Sequence, residues 1–475
     1  MIKKAIHSRH FPLFVSTILG LLFLLISYDY GMFWDNVLFA SKMGNHLFEN
    51  GLFHWTIPDD FDPGHPPFLA FLLAIIWKIL GHSLWSSHVL MYPFICGVIY
   101  QLYRFTYYYV RNKRLAYFGV LLLLTDPTLM TSFVLVNPET LIIFFFFLAI
   151  NGMLYKKNHW KFIGLLFLSF ISFRSMMIFA GLFLFDILNQ SFIHRKKIKE
   201  SINYDVLKSY FFASIPGISY VIWRLATKGW LQTHSESPWA SLWQFATIKD
   251  FFHNVLVLIW RYADFGRIYI FLFLIFAFWF LIKKLRHNES IKQLLLLAIS
   301  SVGFVIITVL LSTNSFGHRY FIISYICFTL IAFLILLEFK KYKRAFFIFL
   351  WLGLFSGNLW IYPEKISQGW DATLAHTPYH QLRKEAIKFL DDQEIDFKQV
   401  GTFFPNYNTI DEIDFTNDQR SFAHFNEKNN YVFYSNVYNL SDNDHSNLEK
   451  KYTEIKRFQR FGIYVSVLKK DLIND

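Results

Sequence analysis

The chain has 475 residues, 54% of them apolar and 20% aromatic, with 17% charged. Soluble globular domains carry about 25% charged residues, and the deficit here is concentrated in long uncharged runs such as Phe11 to Tyr28, Leu141 to Tyr155, Ile291 to Leu311 and Tyr320 to Leu337. The formal net charge of +12 sits mostly in short clusters between apolar runs, among them Lys3-Lys4, His194 to Lys197, Lys283 to Arg286 and Lys340 to Arg344. That is the positive-inside pattern of cytoplasmic loops, not a polyanion surface, so nucleic acid is excluded as a partner. Cys96 and Cys327 both lie in apolar runs, which excludes a disulfide framework and a thiolate metal site.

A bilayer core about 30 Å thick takes roughly 20 apolar residues of helix. The first span, about 11–28, follows Lys3, Lys4 and Arg9 and lacks a small-x-small cleavage site, so it reads as a retained helix leaving an inside N-terminus. Residues 29–65 form a first external loop. Within it, Asn36 to Asn50 has the apolar spacing of a helix lying in the membrane interface. Spans follow at about 66–81 and 86–110. The stretch 114–137 is broken at Asp126-Pro127 into two short helices. Further spans are expected at 138–155, 161–173, 175–189, 208–226, 266–283, 291–311, 318–338 and 345–361. A second external loop, 227–253, carries Trp230, Trp239 and Trp243 and leads into a helical stretch from Phe251 to Phe265.

The fold expected is an all-α polytopic membrane domain over residues 1–361, of about thirteen transmembrane helices. After it comes a small extramembrane α/β or α+β domain over residues 362–475. In that tail Tyr379 to Asp391 is expected to be helical, Val400 to Phe404, Tyr431 to Ser435 and Gly462 to Leu468 to be strands, and Leu448 to Lys456 to be a second helix. An odd number of spans from an inside start puts the tail outside, on the extracytoplasmic (periplasmic) face of a cell or inner membrane.

Ionisable residues beside apolar spans are expensive and mark function. Asp35, Asp59, Asp60, Asp62 and His65 lie in the first external loop, and Glu139, Arg174, His318 and Arg319 at helix ends assigned to the same side. Asp35 also suits a helix cap, Asp59 suits a turn beside proline, and Glu139 suits a helix N-terminus. Together the set fits group transfer from a lipid phosphate. A carboxylate takes the acceptor's proton, arginines hold the leaving phosphate, and histidine with carboxylates is able to hold a divalent metal.

The order Trp34-Asp35-Asn36, Gly64-His65-Pro66-Pro67-Phe68-Leu69, Thr125-Asp126-Pro127, Asn137-Pro138-Glu139, Gly164 to Phe167 with Phe173-Arg174, and His318-Arg319-Tyr320 resembles the GT-C glycosyltransferases. The group resembled is the one that holds the protein O-mannosyltransferases and the lipid A aminoarabinose transferase. The resemblance implies an inverting transferase acting on the outer face with a polyprenyl-phosphate sugar donor. It also implies an acidic residue in the first loop as the key catalytic group, here Asp35, expected as general base on the acceptor, and the charged residues read above put Arg174, Arg319, His65 and His318 at the donor phosphate. Glu139, Asp60 and Asp62 are then neighbours of the acceptor or of a divalent metal. A glycan, lipid or protein is the implied acceptor. The chain departs from the group's pattern at Asn36, where the mannosyltransferases have Glu, at Glu139 in place of Asp, and at Arg174 in place of Lys. A polysaccharide ligase or polymerase, and a non-enzymatic transporter, are the competing readings.

Overall fold

The computed structural model describes residues 8, 10–202, 204–232, 234–235, 239, 244–313 and 316–471, with the side chains of residues 199 and 205 excepted. Lys3, Lys4 and Arg9, used above for topology, and Trp243 of the second external loop lie outside the described residues.

The body is helical from Phe11 to Ser356. Four helices among the described residues are long and apolar enough to cross a membrane: Phe173–Ile193, Arg267–Leu285, Glu289–Leu310 and His318–Leu336. The number rises to six if each of two bent pairs counts as one span. Thirteen full spans are therefore not found. Many of the expected spans are real helices but too short to cross alone: Phe11–Ser27 has 17 residues, Phe68–Leu80 has 13, Asn158–Leu168 has 11 and Lys343–Ser356 has 14. The break foreseen at Asp126-Pro127 is present. Asp126 accepts from the backbone N–H groups of Thr128 and Leu129, Pro127 occupies the first helical turn, and Lys113–Leu124 meets Pro127–Val134 at 78°.

Caps of this kind set the helix ends that matter later. Asn137 caps Pro138–Leu154, putting Glu139 in its first turn. Ser172 and Ser175 form a reciprocal capping box that starts Phe173–Leu188, so Arg174 lies one residue into that helix. Close approach between helices relies on small residues: a side chain at Gly181 would meet the Ser300 carbonyl of Glu289–Leu310 at 2.3 Å.

The segment after the first helix differs from the surface helix expected there. It is a π-helical turn, Val37–Lys42, running into Met43–Asn50, with Val37, Ala40, Met43 and Leu47 buried. Gly44 rests against Trp77 of Phe68–Leu80, and Lys42 reaches Glu412 of the tail at 3.7 Å. The segment is thus held between body and tail.

The tail contains one five-stranded sheet, in the order β2 (Ala423–His424), β1 (Val400–Thr402), β3 (Tyr431–Ser435), β5 (Ile463–Lys470), β4 (Tyr452–Arg460). β1 runs parallel to β2 and β3, and β5 is antiparallel to β3 and β4. Helix Pro378–Asp392 packs Leu382, Ala386 and Leu390 onto the sheet core. The helix expected over Leu448 to Lys456 is displaced: Asp442–Lys451 is helical and Tyr452 begins β4. Phe461 and Gly462, both with positive φ, form a tight hairpin that pairs Tyr452 to Arg460 with β5. β4 is an edge strand with most side chains exposed and with Glu454, Lys456, Arg457 and Arg460 charged, so it has no alternating apolar face to read.

The tail clamps the first loop. The Met32 N–H donates to the Ile413 carbonyl at 2.8 Å, Phe33 stacks on His376 with ring centres 4.4 Å apart, and Phe415 sits against Trp77 and His82.

Candidate active site

A cavity of about 590 Å³ lies where the first loop, several helix ends and the tail meet. Trp34, Asp35 and His65 line it from the first loop, Arg174 from the start of Phe173–Leu188, and Arg319 and Tyr320 from the turn His318–Phe321. Arg261 enters from Ile248–Ala263, and the tail contributes Gln368, Trp370, Asp371, Phe404, Tyr407 and Asn439.

Arg319 is the hub. It donates through Nη2 to Asp35, through Nη1 to Asp371 at 2.9 Å, and its Nε lies 3.6 Å from Glu139 Oε1. Glu139, 3% exposed, accepts from Arg174, whose guanidinium also lies over the Tyr320 ring at 4.6 Å. Burial of ion pairs in this way is tolerated only when charges are matched. Three carboxylates (Asp35, Glu139, Asp371) here pair with two guanidiniums, Arg174 and Arg319, while Arg261 lines the same cavity and donates through Nε to the Phe316 carbonyl at 3.2 Å. Arg174 Nη1 and Arg319 Nε are buried donors without hydrogen-bond partners, and buried donors left unpaired are costly unless a ligand takes them up. Burial and the carboxylates Asp371 and Glu139 push the Asp35 carboxyl up, against the pull of Arg319.

His65 lines the cavity with an unpartnered Nδ1, its ring edge-on to Phe173. Burial, then Arg174 and Arg224, lowers it to about 3, so within this cavity it is a neutral hydrogen-bonding group. His318 does not reach the cavity. It is fully buried, and its Nε2 donates to Asp264 at 2.7 Å while Asp264 also accepts from Tyr362 and the Phe265 N–H. Its place is to anchor the turn that carries Arg319. Asp62 is likewise buried away from the cavity, 3.1 Å from Arg224, and it ties the first loop to the end of Tyr204–Lys228. Asp60 is exposed and outside the cavity lining.

The sequence reading missed Asp371 and Arg261. Arg261, near the end of an amphipathic helix, had a weak signal in its closeness to an apolar face. Asp371 had none, because it is one acid in an ordinary polar tail.

A divalent metal does not fit this donor set. Among the described residues no group of three or more His, Cys, Asp or Glu side chains is placed to hold one, and each cavity carboxylate is engaged by an arginine.

Beside the polar cavity is an apolar cleft of about 350 Å³ lined by Phe173, Met176, Met177, Ala180, Leu231, Gln232 and Phe304. Phe173, Met177 and Gln232 border both spaces.

Residues 64–223 match the family described as dolichyl-phosphate-mannose-protein mannosyltransferase. No curated protein matches the chain. Among solved structures, ArnT from Cupriavidus metallidurans bound to undecaprenyl phosphate superimposes with a TM-score of 0.53 at 10% identity, over 97% of this chain and 98% of that one. ArnT from the same organism in the apo state gives 0.45 at 10% identity, over 95% and 97%. By fold along nearly its whole length, and by sequence pattern over residues 64–223, the chain resembles the GT-C group that includes ArnT and the protein mannosyltransferases.

Proposed function

We propose that this protein is a membrane glycosyltransferase that moves a sugar from a polyprenyl-phosphate carrier to an acceptor on the extracytoplasmic face. Residues 1–361 form the catalytic membrane domain and residues 362–475 an extracytoplasmic domain. The observation that carries the reading is one junction: Arg174 and Arg319, each with a buried N–H that makes no hydrogen bond, lie beside Asp35 in a cavity that adjoins an apolar cleft. A lipid phosphate needs both an anion site and an apolar neighbour, and the fold relative named above was solved with such a lipid.

In this reading the carrier phosphate sits on Arg174 and Arg319 and its chain runs along Met176, Met177, Ala180 and Phe304. Asp35 takes the proton from the acceptor hydroxyl or amine as that atom attacks the anomeric carbon. The bond from carbon to phosphate oxygen breaks, the two arginines stabilise the released phosphate, and the sugar inverts. His65 offers a neutral hydrogen bond to the sugar or acceptor. The polar groups gather under the tail at one end of the helical body and not midway along it, which favours transfer over transport.

The test is Asp35→Asn with carrier binding measured separately. Turnover is expected to fall by about 10²-fold or more, the usual range for loss of a general base, while polyprenyl phosphate still binds. Wild-type turnover in the folded variant would refute the assignment.

A further inference from the structure

On the proposed function rests a role for the tail inside the reaction. The geometry assigns Asp371 as a positioning residue: it holds Nη1 of Arg319 while the donor phosphate displaces Asp35 from Nη2, and this frees Asp35 to act as base. In this structure Asp35 is masked, because it is ion-paired with the very arginine that must bind the phosphate. A guanidinium with three carboxylates around it gives up the one most open to the cavity. The side chains of Asp35, Asp371 and Glu139 are 25%, 16% and 3% exposed, and Glu139 is in addition held by Arg174.

Asp371 is fixed from two directions. Its single 3₁₀ turn, Trp370–Ala372, is anchored by buried Trp370, and the Ala372 carbonyl accepts from Thr128, whose hydroxyl also takes a 2.6 Å bond from Arg267. Just before it, Gly369 lies so close to His318 that a side chain there would meet Nδ1 at 2.7 Å. The tail segment is therefore packed directly on the turn that bears Arg319. Charged groups facing Asp35 are Arg319, Asp371 and Glu139. Removing the Asp371 charge leaves Arg319 to pair more fully with Asp35, which makes Asp35 a weaker base and keeps it masked.

The test uses the full-length protein carrying Asp371→Asn. Polyprenyl phosphate is expected to bind as tightly as in wild type or tighter, since a competing carboxylate is gone. Turnover should fall by about tenfold or more through lost orientation, and the acid limb of the rate profile should move to lower pH. Asp371→Glu should restore much of the rate. If the Asn variant does not fold, Asp371→Ser is read in the same way. Wild-type turnover with an unmoved acid limb would overturn the assignment, as would slower turnover explained by a lower melting temperature with the acid limb unmoved. Should Asp35→Asn and Arg319→Ala also leave transfer intact, the proposed function itself falls. Should they abolish it while Asp371→Asn does nothing, only the positioning role falls.

Discussion

Arg319 is 11% exposed and satisfies two carboxylates directly. Truncating one partner of such a buried, hydrogen-bonded charge group costs about 2–5 kcal/mol, much of it from the charges left unpaired. Arg319→Ala is therefore expected to weaken binding of polyprenyl phosphate by tens-fold or more, and to lower the melting temperature as Asp35, Asp371 and Glu139 repel one another. Arg319→Lys restores the charge but not the fork that reaches Asp35 and Asp371 together, so it should recover stability better than it recovers binding. Titrating a labelled carrier lipid alongside a thermal melt separates the two. Equal binding by wild type and Arg319→Ala would remove this arginine from the donor site. Asp35, Arg174 and Arg319 were legible as single residues because charge beside apolar spans is conspicuous. Their mutual pairing was not, because pairing is a distance in space.

At the scale of elements, the weight-bearing joint is Asp126 with Arg267. Both are 2% exposed, and Arg267 reaches both Asp126 oxygens at 2.8 Å and lies over the Tyr325 ring at 3.9 Å. This joins the start of Pro127–Val134 to the start of Arg267–Leu285, and through Thr128 to the tail turn with Asp371. Asp126→Ala should destabilise by about 3–5 kcal/mol by leaving a buried guanidinium unpaired, whereas Asp126→Leu with Arg267→Met should cost much less. Thermal melts of purified protein read both. A single variant no less stable than the double would contradict the pairing. The break at Asp126-Pro127 was visible in the chain itself, since an N-cap followed by proline is a local signal. The bond to Arg267 joins elements far apart in sequence and has no local trace. Edge strand β4 was misread for a related reason: its stability comes from hydrogen bonds to β5, not from an apolar face of its own.

For the whole molecule, the tail docks through buried aromatic and imidazole rings. His376 is fully buried against Phe33, donates through Nδ1 to the Thr373 carbonyl at 2.7 Å, and is lowered to about 4 by burial. A histidine whose folded value lies below its unfolded value of 6.5 adds stability above 6.5 and loses it as pH falls toward 4. The amount is on the order of 3 kcal/mol. Protease added outside spheroplasts is accordingly expected to cleave the tail, and to cleave it faster as the medium is acidified from about pH 6.5 to 4. His376→Phe should flatten that dependence. Cleavage that required access from the cytoplasmic side would reverse the proposed orientation.

Composition and charge clustering alone determined that this is a multi-helix membrane protein with a polar tail, because burial in lipid demands long apolar runs and leaves basic residues at their ends. Proline likewise marked where two of the site-bearing helices begin, after Asp126 and Asn137, since that signal acts within a few residues, whereas the start after Ser172 falls inside the span expected at 161–173 and came only with the structure. Only the tertiary structure decided how many of the helices are long enough to span, because length depends on where each cap and bend falls. It also decided which charges share a cavity. His318 and Asp62 were drawn into buried pairs with Asp264 and Arg224, while Asp371 was brought from the tail to Arg319. Charges pair with whatever the packed chain sets within a few ångströms, and that neighbourhood is a property of the fold and not of any stretch of sequence.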